Sequence, residues 1–143
     1  LGTVAQPVSV QYFKNKQAKI IDVRCVTGLV GVELEKSRLS NYDGIDLSQE
    51  MLDIAKQRNY SKLFLGSLNE MLPFHTNEYD VELCISVFTH VLVVAKRFDE
   101  LVSIVKSSGI ICFTVNEGVF STSGFDTKIK ELESSKLSSI LEI

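Results

Sequence analysis

The 143-residue chain has no tryptophan, only two prolines, two histidines and three cysteines. So little proline, with apolar residues spread along the whole chain, excludes a collagen-like repeat and argues against disorder. Cys25, Cys84 and Cys112 are odd in number and far apart, with no CxxC pair and no His-Cys cluster. Neither a disulfide framework nor a zinc site is expected from them, and no metal site is expected elsewhere. Cys84 and Cys112 lie in the apolar runs DVELCISVF and GIICFTV, where a reduced cysteine acts as a small core residue. An excess of basic charge is missing as well. Fifteen Lys and Arg against 18 Asp and Glu give a net charge of −3, which removes the simplest basis for a nucleic-acid partner. No apolar run approaches the roughly 18 residues of a membrane span. The opening LGTVAQPVSVQYF lacks the basic, apolar and small-residue blocks of a secretory signal. A cytoplasmic protein without membrane association is the expectation. With no initiator Met, the chain is also expected to be a fragment or a processed form, and nothing in it sets an oligomeric state.

The residues that are present, 45% of them hydrophobic, are enough for the core of one domain, taken here as 1–143. Apolar runs of strand length alternate with segments of helical period, the pattern of an α/β sheet. A helix end is expected at 8–14, then strands at 19–23, 42–46, 62–65, 79–87 and 110–115. A helix is expected at 29–36, and another runs to 57 from an N-cap at Ser48, with Gln49 and Glu50 in its first turn. Ser67-Leu68-Asn69-Glu70 has capping-box spacing and predicts a single helical turn before Pro73. Val94, Phe98, Leu101, Val102 and Val105 share one helical face. A polar helix at 126–134 and a sixth strand at 137–143 close the chain. The charge run at 128–136 reads as a solvated face. Strands this apolar need cover on both sides. The fold class is therefore a Rossmann-like, doubly wound, mostly parallel sheet in a three-layer α/β sandwich.

In such sheets ligands sit beyond the carboxyl ends of the strands, where the strand order reverses. After the first strand comes Asp22-Val23-Arg24-Cys25-Val26-Thr27-Gly28, and after the second comes Gly44-Ile45-Asp46-Leu47-Ser48. Asp46 follows Gly28 by 18 residues. An acid about 20 residues past a glycine loop can bond both ribose hydroxyls of an adenosine. The alternative is that Asp46 only shapes the turn into the next helix, and that Asp22 only orients the loop backbone. Met51 at helical spacing is open to a core role. His90 could act as a base beyond the fourth strand or be solvated, and His75 lies in a polar loop. Cys25 has no histidine partner to make it a nucleophile.

Here the sequence resembles a known family. IIDVRCVTGLVGVEL is similar to the first motif, D-x-G-x-G-x-G, of the class I S-adenosylmethionine-dependent methyltransferases. YDGIDLSQEMLDIAKQ, YDVELCISVFTHV and VKSSGIICFTV resemble their second, fourth-strand and fifth-strand motifs in the same order, from about residue 2 to residue 120. The nearest likeness is to the small methyltransferase-like group linked to the Williams–Beuren critical region.

The resemblance implies S-adenosyl-L-methionine as cofactor and a set of binding residues. Asp22 would lie near the methionine ammonium, with Gly28 beside the cofactor and Asp46 on the ribose. Leu47 and Met51 would flank the adenine, Ser67 and Leu68 would reach its amino group, and Val87 would line the far side. Arg24 and Val26 stand where the family has its first two loop glycines. Ser67 replaces a common acid, and Ser107-Ser108-Gly109 replaces Pro-Gly-Gly. The capping helix at the amino end and the last hairpin strand are expected to be truncated. No Asp/Asn-Pro-Pro-Tyr follows the fourth strand, so a small-molecule methyl acceptor is favoured over a nucleic acid. The altered loop also admits a non-catalytic, pseudoenzyme domain. A nicotinamide enzyme is a third candidate, disfavoured because G-x-G-x-x-G is missing.

Overall fold

The computed structural model describes residues 15–88 and 98–115. The expected helix end at 8–14, His90, Val94 and the segments at 126–134 and 137–143 lie outside the described residues. Five strands, β1 (Ile20–Val23), β2 (Tyr42–Asp46), β3 (Leu63–Leu65), β4 (Tyr79–Phe88) and β5 (Val105–Val115), form one sheet in the order β3-β2-β1-β4-β5. Every pairing is parallel. Among the described residues three helices accompany them: α1 (Leu29–Lys36), α2 (Gln49–Ala55) and α3 (Phe98–Ser103).

Period-two alternation sorts the strand side chains onto two faces. Ile20, Tyr42, Val81, Leu83 and Ile85 join Leu34 of α1 in one buried cluster. Ile21, Val23, Ile45 and Cys84 join Leu101 of α3 in the other. With a helix packed on each face, the molecule is the three-layer α/β sandwich that the apolar strands require. Burial of each such side chain contributes about 1.5–3 kcal/mol before entropy is counted.

The ends of the elements have local causes. Ser48 accepts a bond from the Met51 amide at 3.3 Å and starts α2. At Ser67 the hydroxyl accepts from the Asn69 amide at 3.1 Å, and the Glu70 amide reaches the Ser67 carbonyl. The chain there makes a turn, not the helical turn that the capping-box spacing predicts, because the side chain serves its own loop. Val105, expected on a helix face, pairs with Tyr79 as the first residue of β5. Register then shifts: Val81 pairs with Ile110, so residues 106–109 loop out of the ladder. Gly109 makes that excursion possible, because a Cβ there would lie 2.6 Å from the Asp80 carbonyl oxygen. Among the described residues no helix is long and apolar enough to cross a membrane.

Candidate cofactor site

β1 is the central strand, flanked by β2 and β4. The chain leaves it one way to β2 and later returns on its other side to β4, so strand order reverses there and a crevice opens beyond the carboxyl ends. The loop from β1 to α1 lies at that point. Its backbone turns left-handed at alternate residues: φ is 59° at Arg24, 54° at Val26 and 85° at Gly28. These are the three positions of the glycine motif, so the conformation persists where two of the glycines do not. A positive φ crowds Cβ against the carbonyl, and the penalty is greatest for a β-branched side chain. Val26 holds that conformation because its neighbours fix it. Its amide donates to Asp46 Oδ2 at 2.9 Å, while the Cys25 amide donates to the Ile45 carbonyl at 3.0 Å.

Asp46 is nearly buried at the end of β2 and works with both oxygens. Oδ1 accepts from the Ser48 amide at 2.9 Å, as Oδ2 does from Val26. One carboxylate thus ties the loop after β1 to the start of α2. Each oxygen keeps acceptor capacity for a further donor. Leu47, next in the chain, is 72% exposed, and Val26, Leu65 and Met71 are exposed too. Apolar side chains therefore stand open just past the carboxyl ends of three adjacent strands. Met51 is half-buried, and Leu68 packs against the core cluster that holds Ile45. Of Val87 only the backbone, in β4, is described.

Asp22, on β1, is buried beneath this loop. Tyr60 donates its hydroxyl to Asp22 Oδ2 at 2.6 Å, and Oδ1 has no partner. Burial pushes the carboxyl up to about 7; the Tyr60 bond pulls it down, and the Asp46 charge adds to the rise. Sequence reasoning missed Tyr60. Its ring lies where side chains on Gly31 and Gly44 would go: a Cβ would come within 2.7 Å and 2.9 Å of it. Two glycines inside a helix and a strand, where glycine is disfavoured, were the available signal. A Cβ on Gly28 would meet Arg58, Tyr60 and Ala55, so this glycine makes room for protein packing as well as for its φ.

Cys25 is buried in the same loop. Burial, then the charges of Asp22 and Asp46, push its thiol up to about 12, and the thiolate is the reactive form. Thiol-directed reagents are expected to leave Cys25 untouched in the folded chain and to modify it only after denaturation. Peptide mapping after brief labelling checks this. Among the described residues no group of three His, Cys, Asp or Glu side chains could hold a metal ion.

A parallel sheet in this order, with a left-handed loop at its switch point and an acid on the adjacent strand, defines a Rossmann-like nucleotide-cofactor domain. The methyltransferase domain family matches residues 21–113. The chain belongs to that family, the class I S-adenosylmethionine-dependent methyltransferases. It is 27% identical over 117 residues to a ubiquinone biosynthesis O-methyltransferase of Hydrogenovibrio crunogenus, covering 76% of this chain and 48% of that protein. It is 33% identical over 99 residues to methyltransferase-like protein 27 of Homo sapiens, covering 68% of this chain and 40% of that protein. The chain thus spans less than half the length of either relative. The S-adenosylmethionine-dependent methyltransferase structure from Mesorhizobium loti superposes with a TM-score of 0.60 at 17% identity, over 78% of this chain and 53% of that one.

Proposed function

We propose that this domain binds S-adenosylmethionine across the carboxyl ends of β1, β2, β3 and β4 and passes its methyl group to a small-molecule acceptor. The observation that carries this function is the loop itself, left-handed at residues 24, 26 and 28 and held by Asp46. The residues present fit the cofactor. Asp46 has acceptor capacity left for ribose hydroxyls, and the exposed Leu47 offers an apolar surface to the adenine, with Met51 behind it. Asp22 supplies a buried carboxyl with an unpartnered oxygen below the loop. Arg24 and Gly28 shape the loop wall. Ser67, Leu68 and Val87 belong to the strand ends that bound the adenine and the far side, and His90 is the candidate base. When bound, the cofactor supplies a sulfonium methyl that is already activated for displacement. The protein's task is therefore to hold two reactants in line and to keep water out, with no metal required.

The competing function is a non-catalytic domain, and one observation favours it. Side chains stand on two loop positions whose backbone conformation suits glycine, and Val26 is 39% exposed there. Calorimetric titration with S-adenosylmethionine and S-adenosylhomocysteine separates the two. The native chain is expected to bind in the micromolar range. Asp46→Ala, which strips two backbone amides of a charged acceptor, is expected to weaken binding by about 100-fold or more. The Arg24→Gly/Val26→Gly double variant is expected to bind at least as tightly as the native chain. Silence from the native chain with binding by the double variant would establish the non-catalytic function instead. Competition by a nicotinamide dinucleotide would point to the third candidate.

A further inference from the structure

α1 begins at Gly28, which has no side chain to cap the first-turn amides. A residue from far along the chain takes that role. Tyr60 accepts the Gly31 amide at 3.2 Å with the same hydroxyl that it donates to Asp22 at 2.6 Å. Its ring is locked edge-on against Tyr42, with centroids 4.9 Å apart, in the slot left by Gly31 and Gly44. The hydroxyl therefore has one place to be. It joins the amino end of α1, and so the loop, to the buried carboxyl below.

From this arrangement, and resting on the cofactor site proposed above, we infer that Tyr60 is a positioning residue that makes cofactor docking proton-linked. A cation laid on the loop favours Asp22 as a carboxylate, the Tyr60 hydroxyl holds that carboxylate in place, and the Asp22 proton leaves to solvent. The balance is simple. The O–H bond of the Asp22 acid breaks, its proton goes to water, and the positive charge of the docked cofactor replaces it. In the free chain Asp22 holds its proton to about pH 7, because burial disfavours the charged form.

The shifted tyrosine and thiols near Asp22 lie well above this range. Tyr60, which bonds Asp22, is pushed well above its ordinary value by burial and Cys25 to about 12, and Cys84, on the other face of the sheet, is pushed up as well. Asp46, on β2, is engaged by two amides, and Arg58 packs against Gly28 at the edge of the same slot. Glu82, raised to about 8 by burial, lies on the opposite face of the sheet beside Cys84 and serves as the control.

The test is titration of the full chain with S-adenosylmethionine in phosphate and in Tris, whose ionisation heats differ, from about pH 6 to about pH 8.5. The native chain is expected to release roughly half a proton per cofactor near pH 7, with affinity rising with pH and levelling off above about pH 8. Tyr60→Phe keeps the ring in its slot and removes the hydroxyl. It is expected to bind about tenfold more weakly near pH 6 yet within about twofold of native near pH 8.5, because the lost donor raises Asp22 further. Asp22→Asn is expected to abolish the proton release, and Glu82→Gln to leave it intact.

Binding by the native chain with no proton exchange overturns the inference alone. So does a Tyr60→Phe deficit that is equal at every pH, the mark of a merely structural role. No heat of binding from the native chain, Tyr60→Phe and the Arg24→Gly/Val26→Gly variant alike overturns the cofactor site and the inference with it.

Discussion

Glu82→Gln is expected to make the chain more stable in alkaline solution, by about 2 kcal/mol or more near pH 9. Glu82 sits on β4 with its side chain fully buried. One oxygen accepts from Cys84 Sγ at 3.1 Å and the other has no partner. Burial pushes its carboxyl from 4.5 up to about 8, and that of Asp22 from 3.8 up to about 7. A group raised on folding binds its proton more tightly in the native state. Its contribution is therefore complete below the unfolded value and is lost as pH climbs to the folded one. For these two acids the loss runs from about pH 4 to about pH 8, and each accounts for at most about 4–5 kcal/mol. Asp80, Glu78 and Asp53, lowered by backbone, lysine or glutamine donors, act in the opposite sense, but only under more acid conditions. Urea denaturation at a series of pH values reads this directly. The native midpoint should fall as pH rises from 5 to 9, about the range of the two titrations, and the variant should fall less. A native profile flat over that range would contradict the assignment.

Gly31→Ala is expected to destabilise the chain by about 2 kcal/mol or more, although the site is inside a helix. Helix propensity alone predicts the reverse, a gain of about 1 kcal/mol for alanine over glycine. The steric effect wins here because the new Cβ would lie 2.7 Å from Tyr60 Cε2 and 3.0 Å from its hydroxyl oxygen. The ring cannot yield without breaking its bonds to Asp22 and to the Gly31 amide. That would leave a buried carboxyl with no partner on either oxygen, a loss larger than the helical gain. Pairing Gly31→Ala with Tyr60→Ala should return part of the loss, and a double-mutant cycle by chemical denaturation measures how much.

Much of this architecture was legible in the sequence. Strands β1 and β4 are rich in Ile, Val and Leu, and Leu29–Lys36 has the period of a helix that covers one sheet face. The spacing of Gly28 and Asp46 led to the loop and the strand end that the fold brings together at a 2.9 Å bond. The misses share a cause. Ser67 satisfies its own turn, and Val105 enters β5 ahead of the polar stretch Lys106-Ser107-Ser108, which no period-two pattern announces. Tyr60 and Glu82 were missed because burial of a polar side chain is a property of the packed fold, and local sequence does not encode it. The left-handed angles at Arg24 and Val26 are the converse case. Their side chains argue against the conformation, and the surrounding bonds impose it.

The strand order also has a consequence for how the chain assembles. β1 meets β2 through the pair Ile20–Tyr42, but it meets β4 through Ile20–Val81, a far longer separation along the chain. Loop-closure entropy and contact order favour early formation of the β1–α1–β2–α2–β3 half, whose parts are neighbours in sequence. The seam between β1 and β4 is then the late event, and the switch-point crevice lies along that seam. Asp80 helps fasten it by accepting the Lys19 amide at 2.8 Å across 61 residues. The crevice exists only once the two halves have docked, so a ligand that fills it would select the fully assembled state and slow the first step of unfolding.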